Sequence, residues 1–141
     1  MDSSTTKLSD SEHAALIEAL MDEYHAWNVY SQVIHDFGPV RPFSRIWEAE
    51  ARHAEALQNL LSKYGHPIPP NHPVEPTPRF NTLREACEAA VAAEEENALL
   101  YERLMRSTNK QDILFVFRNL QEASQERHLL AFRRCRDRNS S

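Results

Sequence analysis

Apolar residues recur at intervals of three and four along four stretches of the chain, which is the spacing of one face of an α-helix. These stretches span residues 9–37, 42–64, 82–106 and 110–137. Ser9 and Glu12 have the spacing of a capping box and mark the start of the first helix. The pattern therefore predicts one domain of four helices over residues 9–138, preceded by a flexible segment at residues 1–8.

The connections between these stretches predict how the helices are joined. Only a few residues separate the first helix from the second and the third from the fourth, which is typical of antiparallel helical hairpins. Residues 65–80 join the two hairpins and contain six prolines between His66 and Pro78, so no helix or central strand forms there. In polyproline form this crossover reaches about 45 Å, whereas the second helix is roughly 33 Å long. We therefore expect an all-α four-helix bundle in which a long crossover links two hairpins.

Composition supports a helical protein and narrows the function classes. Only two glycines in 141 residues leave few positions for the turns and bulges of a strand-rich fold. The net charge is −5, and no stretch combines clustered basic residues with aromatic ones, which argues against nucleic acid as a partner. No apolar run approaches about 18 residues, so we expect no membrane span, no signal peptide and a cytoplasmic protein. Cys87 and Cys135 are isolated, and we expect reduced core thiols that pair only if the fold brings them together.

Polar side chains that can bind metal interrupt each apolar stripe near its middle. They are Glu23 in the first helix, Glu50 and His53 in the second, Glu94 in the third, and Gln125 and His128 in the fourth. Isolated carboxylates in a bundle core cost several kcal/mol each unless they are neutralised or paired. The same stripes carry no Lys or Arg. Two divalent metal ions resolve the conflict, because the cations compensate the carboxylates for their lost hydration.

The two predicted hairpins also repeat each other in sequence. Glu23-x2-Ala26-x3-Tyr30 is echoed by Glu94-x2-Asn97-x3-Tyr101, and Glu50-x2-His53 is echoed by Gln125-x2-His128. This similarity predicts a pseudo-twofold axis with a symmetric dimetal site on it. Tyr30 and Tyr101 lie two helical turns beyond their glutamates and should flank the site. They are either core tyrosines with a satisfied hydroxyl or catalytic candidates that bond a ligand or act near the oxidant.

Three longer motifs carry a resemblance to a known family: Phe37-Gly-x-Val-Arg-Pro-Phe43, Glu48-Ala-Glu-x-Arg-His53 and Arg127-His128-Leu-x-Ala-Phe132. Over about residues 12–135 the chain resembles the ferritin-like superfamily, nearest the rubrerythrins, and in particular an uncharacterised group of small ferritin-like domains. In that superfamily the first and third helices each give a Glu, and the second and fourth each give Glu-x-x-His. The resemblance therefore implies a ferritin-like bundle that holds two metal ions, iron or manganese. The implied ligands are Glu23, Glu50, His53, Glu94, Gln125 and His128.

The chain departs from the family pattern at Gln125, where the superfamily has Glu. A neutral amide binds metal weakly, so one metal ion would have a ligand fewer or be completed by water. Glu122 lies one turn earlier, but its angular offset from His128 makes it a poor substitute. Ferritin sites with Gln at the corresponding place resemble this arrangement and turn over iron without holding it firmly.

The resemblance implies a redox protein that reacts with peroxide or dioxygen, either as a rubrerythrin-like peroxidase or as a ferroxidase that oxidises Fe(II). The chain lacks the four cysteines of a rubredoxin module, so a peroxidase would need an external electron donor. The alternative is a non-catalytic helical module that binds metal weakly or not at all and acts through protein interaction. We expect a homodimer that buries the faces of Trp27 and Trp47.

Overall fold

The computed structural model describes residues 7–73 and 76–139, and these residues form a bundle of helices without strands. The helices are α1 (Asp10–Phe37), α2 (Phe43–Lys63), α3 (Leu83–Leu104), α4 (Gln111–Glu122) and α5 (Leu129–Arg138). A short 3-10 turn, Met105–Ser107, ends α3, and a π-helical segment, Ala123–His128, joins α4 to α5 in one rod. The bounds of the four rods lie within two residues of those predicted from the sequence. The predicted flexible segment 1–8 falls almost wholly outside the described residues.

Local signals in the sequence explain where the helices begin and end. At the start of α1 the Ser9 hydroxyl accepts from the Glu12 backbone amide, and the Glu12 carboxylate accepts from the Ser9 amide, so the predicted capping box is present. The same exchange between Thr82 and Glu85 begins α3. Gly38 ends α1 with a φ of 86°, which a residue with a side chain rarely adopts.

The crossover runs along α1 from one end of the bundle to the other. The Tyr24 hydroxyl donates to the Pro69 carbonyl oxygen at 2.8 Å, and farther along α1 the Asn28 amide exchanges hydrogen bonds with Asn71. Beyond the gap at residues 74–75, Arg79 pairs with Asp36 near the end of α1. The crossover therefore returns the chain to the end at which α2 began, and α3 runs antiparallel to α1.

Two apolar clusters fill the two ends of the bundle and leave a polar layer between them. One cluster joins α1, α2, α3 and α4 through residues such as Leu16, Leu57 and Phe117. The other is built around the mutually packed rings of Tyr30, Phe43 and Phe132. The buried acidic residues of the middle layer are enclosed by apolar side chains above and below, which keep bulk water from reaching them along the bundle axis.

The cysteines differ from the expectation of reduced thiols. Cys87 on α3 and Cys135 on α5 are fully buried and form a disulfide, with their Cα atoms 6.0 Å apart. The two residues are separated by 48 positions in sequence, so only the packing of α5 against α3 brings them together. The sequence could not reveal this proximity because it depends on the relative rotation of the two helices.

Candidate metal centre

The middle layer of the bundle brings five of the six predicted ligands together. Glu23, Glu50 and Glu94 are each exposed by 3% or less, and His128 by 5%. The His53 side chain is slightly more open, at 12%. Each rod contributes at least one of these side chains, because each interrupts its own apolar stripe at the same level.

One half of the cluster is formed by α1 and α2. His53 Nδ1 lies 3.4 Å from Glu23 Oε1 and 3.2 Å from Glu50 Oε1. His53 follows Glu50 by three positions in α2, so both side chains project from the same face of that helix. Glu23 reaches them from the neighbouring helix of the hairpin.

The other half is formed by α3 and the fourth rod, and it shares Glu50 with the first half. His128 Nδ1 lies 3.3 Å from Glu94 Oε1 and 3.7 Å from Glu50 Oε1. The imidazoles of His53 and His128 stack with their centroids 5.5 Å apart. Glu50 thus lies between two similar halves, each with its own carboxylate and imidazole.

The two tyrosines that were predicted to flank the site connect the hairpins crosswise. The Tyr30 hydroxyl on α1 donates to Glu94 Oε2 on α3 at 2.7 Å. The Tyr101 hydroxyl on α3 donates to Glu23 Oε2 on α1 at 2.5 Å. Each phenol therefore holds the carboxylate of the other hairpin and leaves that carboxylate's second oxygen directed toward the imidazoles. Burial, together with the charge of the bonded glutamate, raises the pKa of both tyrosines well above 10.

Without a bound cation, the buried charges of the cluster are balanced by protons. Burial raises the pKa of the Glu50 carboxyl well above its usual value, and the charge of Glu23 raises it further. Burial also opposes ionisation of Glu23, but the close contact with His53 and the charge of its ring outweigh burial and lower the Glu23 pKa. Burial lowers the pKa of His53, yet Glu23 and Glu50 together raise it to about 10. Burial and the close approach of the carboxylates thus disfavour ionisation of Glu50, while Glu23 and His53 stabilise each other's charged forms.

The donor set fits divalent metal ions. Glu23 Oε1, Glu94 Oε1 and His128 Nδ1 are buried and have no hydrogen-bond partner within the described residues. Ligand atoms of Glu50, His53 and His128 lie within 4.8 Å of one another. Nitrogen and oxygen ligands bind zinc-like ions at about 2.0–2.2 Å, which places two ligands of one ion roughly 3.0–3.4 Å apart. Separations of 3.2, 3.3 and 3.4 Å within the two halves match this spacing, and imidazole with carboxylate suits Fe, Mn and Zn.

Gln125, the sixth predicted ligand, lies apart from the other five, because its side chain is exposed on the outside of the fourth rod. In an α-helix, residues three apart share a face, and this placed Gln125 beside His128 in the sequence prediction. The π-helical segment takes more residues per turn, so position 125 rotates away from position 128 while Ser124 turns inward. Ser124 follows the apolar residues Phe117 and Leu120 by seven and four positions, and this helical spacing was the available signal.

A second polar chain occupies the side of the cluster where a fourth carboxylate was expected. The Ser124 hydroxyl donates to Asn97 Oδ1, and Asn97 Nδ2 donates to Asp22 Oδ2 at 2.5 Å and to Glu23 Oε2 at 3.4 Å. Burial raises the pKa of Asp22 to about 6 despite the hydrogen bond from Asn97. The role of Asp22 had no signal in the sequence, because its position beside Glu23 in α1 directs it away from the apolar stripe.

Comparisons with known proteins identify a relative of this chain but assign it to no family. No family model matches the chain. The chain is 28% identical over 140 residues to the uncharacterised protein MJ0754 of Methanocaldococcus jannaschii, covering 89% of this chain and 75% of the relative. It also superposes on the crystal structure of MJ0754, described as a hypothetical protein, with a TM-score of 0.80 and 26% identity over 93% of this chain and 82% of that one. The helical architecture is therefore shared with an experimentally determined structure.

Within the described residues, no helix combines the length and apolar character needed to cross a membrane. The long helices α1, α2 and α3 each carry acidic side chains in their middle turns.

Proposed function

We propose that this protein is a ferritin-like dimetal-carboxylate protein, with two iron or manganese ions, that reacts with peroxide or dioxygen. One observation carries the proposal: three carboxylates and two imidazoles converge in a buried layer, and three of their donor atoms have no hydrogen-bond partner within the described residues. Buried polar atoms are normally satisfied, so each orphan atom requires an explanation. Two cations would satisfy all three at once.

The two halves of the cluster define the ligands of each ion. Glu23 and His53 would hold one ion, Glu94 and His128 would hold the other, and Glu50 would bridge them. When bound, the metal pair would supply two electrons to the O–O bond of peroxide or dioxygen, and in a ferroxidase these electrons would come from substrate Fe(II). The chain's own residues bind and orient: the tyrosines fix Glu23 and Glu94, and the apolar clusters at either end exclude water.

The absence of a fourth carboxylate from the described centre affects how firmly metal is held. The side of the cluster that the resemblance assigned to Glu-x-x-His carries the neutral chain of Ser124 and Asn97. Fewer anionic ligands lower affinity for hard divalent ions. We therefore propose exchangeable metal ions, which suits turnover better than permanent storage. As a peroxidase the protein would draw electrons from an external donor.

The stacked pair Trp27 and Trp47 bears on the proposed homodimer. Their rings lie 5.4 Å apart, both side chains are half-buried, and the Trp47 indole N–H donates to Ser31 at 2.6 Å. Aromatic residues that keep one face exposed are enriched in interfaces. A second copy of the chain that covers this pair is the assembly we propose.

Metal content measured on purified protein tests the function directly. Protein produced with iron and manganese available should contain about two ions per chain by elemental analysis, matching the two halves of the site. Glu50→Gln and His128→Ala should lose metal. Gln125→Ala is the matched control and should retain it, because that side chain is exposed.

Three outcomes separate the possible functions. Two ions in the wild type, followed by consumption of peroxide with a supplied reductant, would support the peroxidase. Two ions with oxidation of added Fe(II) but no peroxide turnover would support the ferroxidase. No metal in the wild type, with a melting temperature unchanged by chelator, would refute the dimetal proposal and leave a helical module that acts through its surface.

A further inference from the structure

A cavity connects the candidate metal centre with the surface between α1 and α3. Its volume is about 170 Å³, enough for about five waters at roughly 30 Å³ each. At its outer end it is lined by the exposed residues His25, Ala93 and Glu96. At its inner end it reaches the buried carboxylates Glu50 and Glu94.

The walls of the cavity are narrow and apolar between these two ends. Ala26 and Val29 of α1 face Ala89 and Ala90 of α3, and Phe80 of the crossover lies against them. The small side chains at these positions leave the gap between the two helices unfilled. A larger residue on this wall would fill a passage that is only a few water molecules in volume.

The charges along the cavity have one sign. Asp22 and Glu96 line it in addition to Glu50 and Glu94, and His25 is the one basic side chain among the described lining residues. A cleft with carboxylates and low-dielectric walls concentrates cations and repels anions. Asp22 immediately precedes Glu23 in the sequence and lies beside the inner end of the cavity. A hydrogen bond from Asn97 holds its carboxylate in place.

The cavity ends at a buried carboxylate oxygen that faces His128 Nδ1 at 3.3 Å without a hydrogen bond. Glu94 lines the inner end, is 2% exposed, and its Oε1 has no hydrogen-bond partner within the described part of the chain. We propose that this cavity is the route by which divalent cations reach the metal centre, with Glu96 at the entrance and Asp22 passing the cation to the inner carboxylates. The inference rests on the proposed dimetal function and adds the path by which the site is loaded.

The rate of metal uptake tests the route independently of catalysis. Metal-free full-length protein is mixed with Co(II), whose visible absorbance reports coordination, and association is followed by stopped flow. Ala93→Phe should slow association by about tenfold or more while leaving the final stoichiometry unchanged. Ala92→Phe is the matched control, because Ala92 is the exposed neighbour outside the cavity lining.

Removal of charge at the entrance gives a second test that does not depend on packing. Glu96→Gln should slow association roughly threefold at low ionic strength and weaken its dependence on salt, because steering of a cation is screened by added ions. Glu95→Gln is the control, since Glu95 is exposed and lies outside the cavity lining.

The outcomes distinguish the route from the function. Slow uptake in Ala93→Phe and Glu96→Gln, with normal uptake in both controls, supports the route. If Co(II) binds the wild type and all four variants at equal rates, the route is refuted while the metal centre stands. If no Co(II) binds the wild type, the dimetal function is refuted and the route with it.

Discussion

Core substitutions usually destabilise a protein, but the buried charges of the metal-free cluster predict that a substitution at Glu50 stabilises it. Glu50 is 3% exposed, and burial with the nearby charge of Glu23 raises its pKa well above 4.5. An unfolded chain ionises this carboxyl at neutral pH, whereas burial in the folded metal-free chain disfavours its ionisation. Folding therefore takes up a proton, and the free energy of unfolding falls as the pH rises above 4.5 toward the folded pKa.

The size of the effect follows from the difference between pH 7 and the ordinary pKa of a glutamate carboxyl. About 2.5 pH units at roughly 1.36 kcal/mol each set an upper limit near 3 kcal/mol for holding Glu50 protonated at pH 7. Glu50→Gln keeps the volume and removes this cost, but it also weakens the contact with the His53 imidazolium. We expect the free energy of unfolding of the metal-free protein to rise by about 1–3 kcal/mol, or roughly 3–10 °C in melting temperature.

Thermal unfolding followed by circular dichroism in the presence of chelator measures the difference. Glu50→Gln should melt above the wild type at pH 7, and the gap should shrink as the pH is lowered to 4.5. Added metal should reverse the order, because wild type alone gains binding energy of about 2.7 kcal/mol at a hundredfold excess over Kd. Glu55→Gln, a substitution at an exposed position of the same helix, should leave the melting temperature unchanged both with chelator and with added metal.

Two results would refute this reasoning. One is a metal-free Glu50→Gln protein that melts at or below the wild type at pH 7. The other is a gap between the two proteins that is the same at pH 4.5 and pH 7, since the cost would then not come from protonation. Either result would mean that the buried carboxylate is stabilised by protein contacts and does not need a cation.

Other predictions concern the framework around the site. Burial opposes ionisation of Glu12, but hydrogen bonds from Thr108, Ser9 and Lys110 outweigh it and lower the Glu12 pKa to about 2. Glu12→Gln should therefore lower the free energy of unfolding by about 1–2 kcal/mol at pH 7, after allowance for solvent screening. In denaturant titrations this loss should shrink as the pH falls from 4.5 toward 2. Tyr101→Phe leaves a buried carboxylate oxygen without its phenol donor and should lower the free energy of unfolding by about 1–3 kcal/mol, whereas an unchanged value would show that water replaces the hydroxyl. Reduction of the interhelical disulfide should destabilise the chain by about 2–4 kcal/mol, measured as a shift in denaturant midpoint that is absent when both cysteines are replaced by serine.

Much of the fold follows from local patterns in the sequence. The capping residues Ser9 and Thr82 and the turn residue Gly38 act within a few positions of the chain, so the helix bounds could be predicted closely. The prolines of the crossover fix its extended form without reference to any neighbour. The polar residues Glu23 and Glu94 could be recognised because each occupies a stripe that is otherwise apolar.

Tertiary packing determined the features that the sequence did not reveal. The π-helical segment turns Ser124 toward the core and Gln125 away from it. The conformational preferences of these two residues do not predict a π-helix. The disulfide between Cys87 and Cys135 depends on how far α5 is rotated against α3. Periodicity gives the face of each helix to within about one residue, but the distance between atoms on different helices arises only when the helices pack.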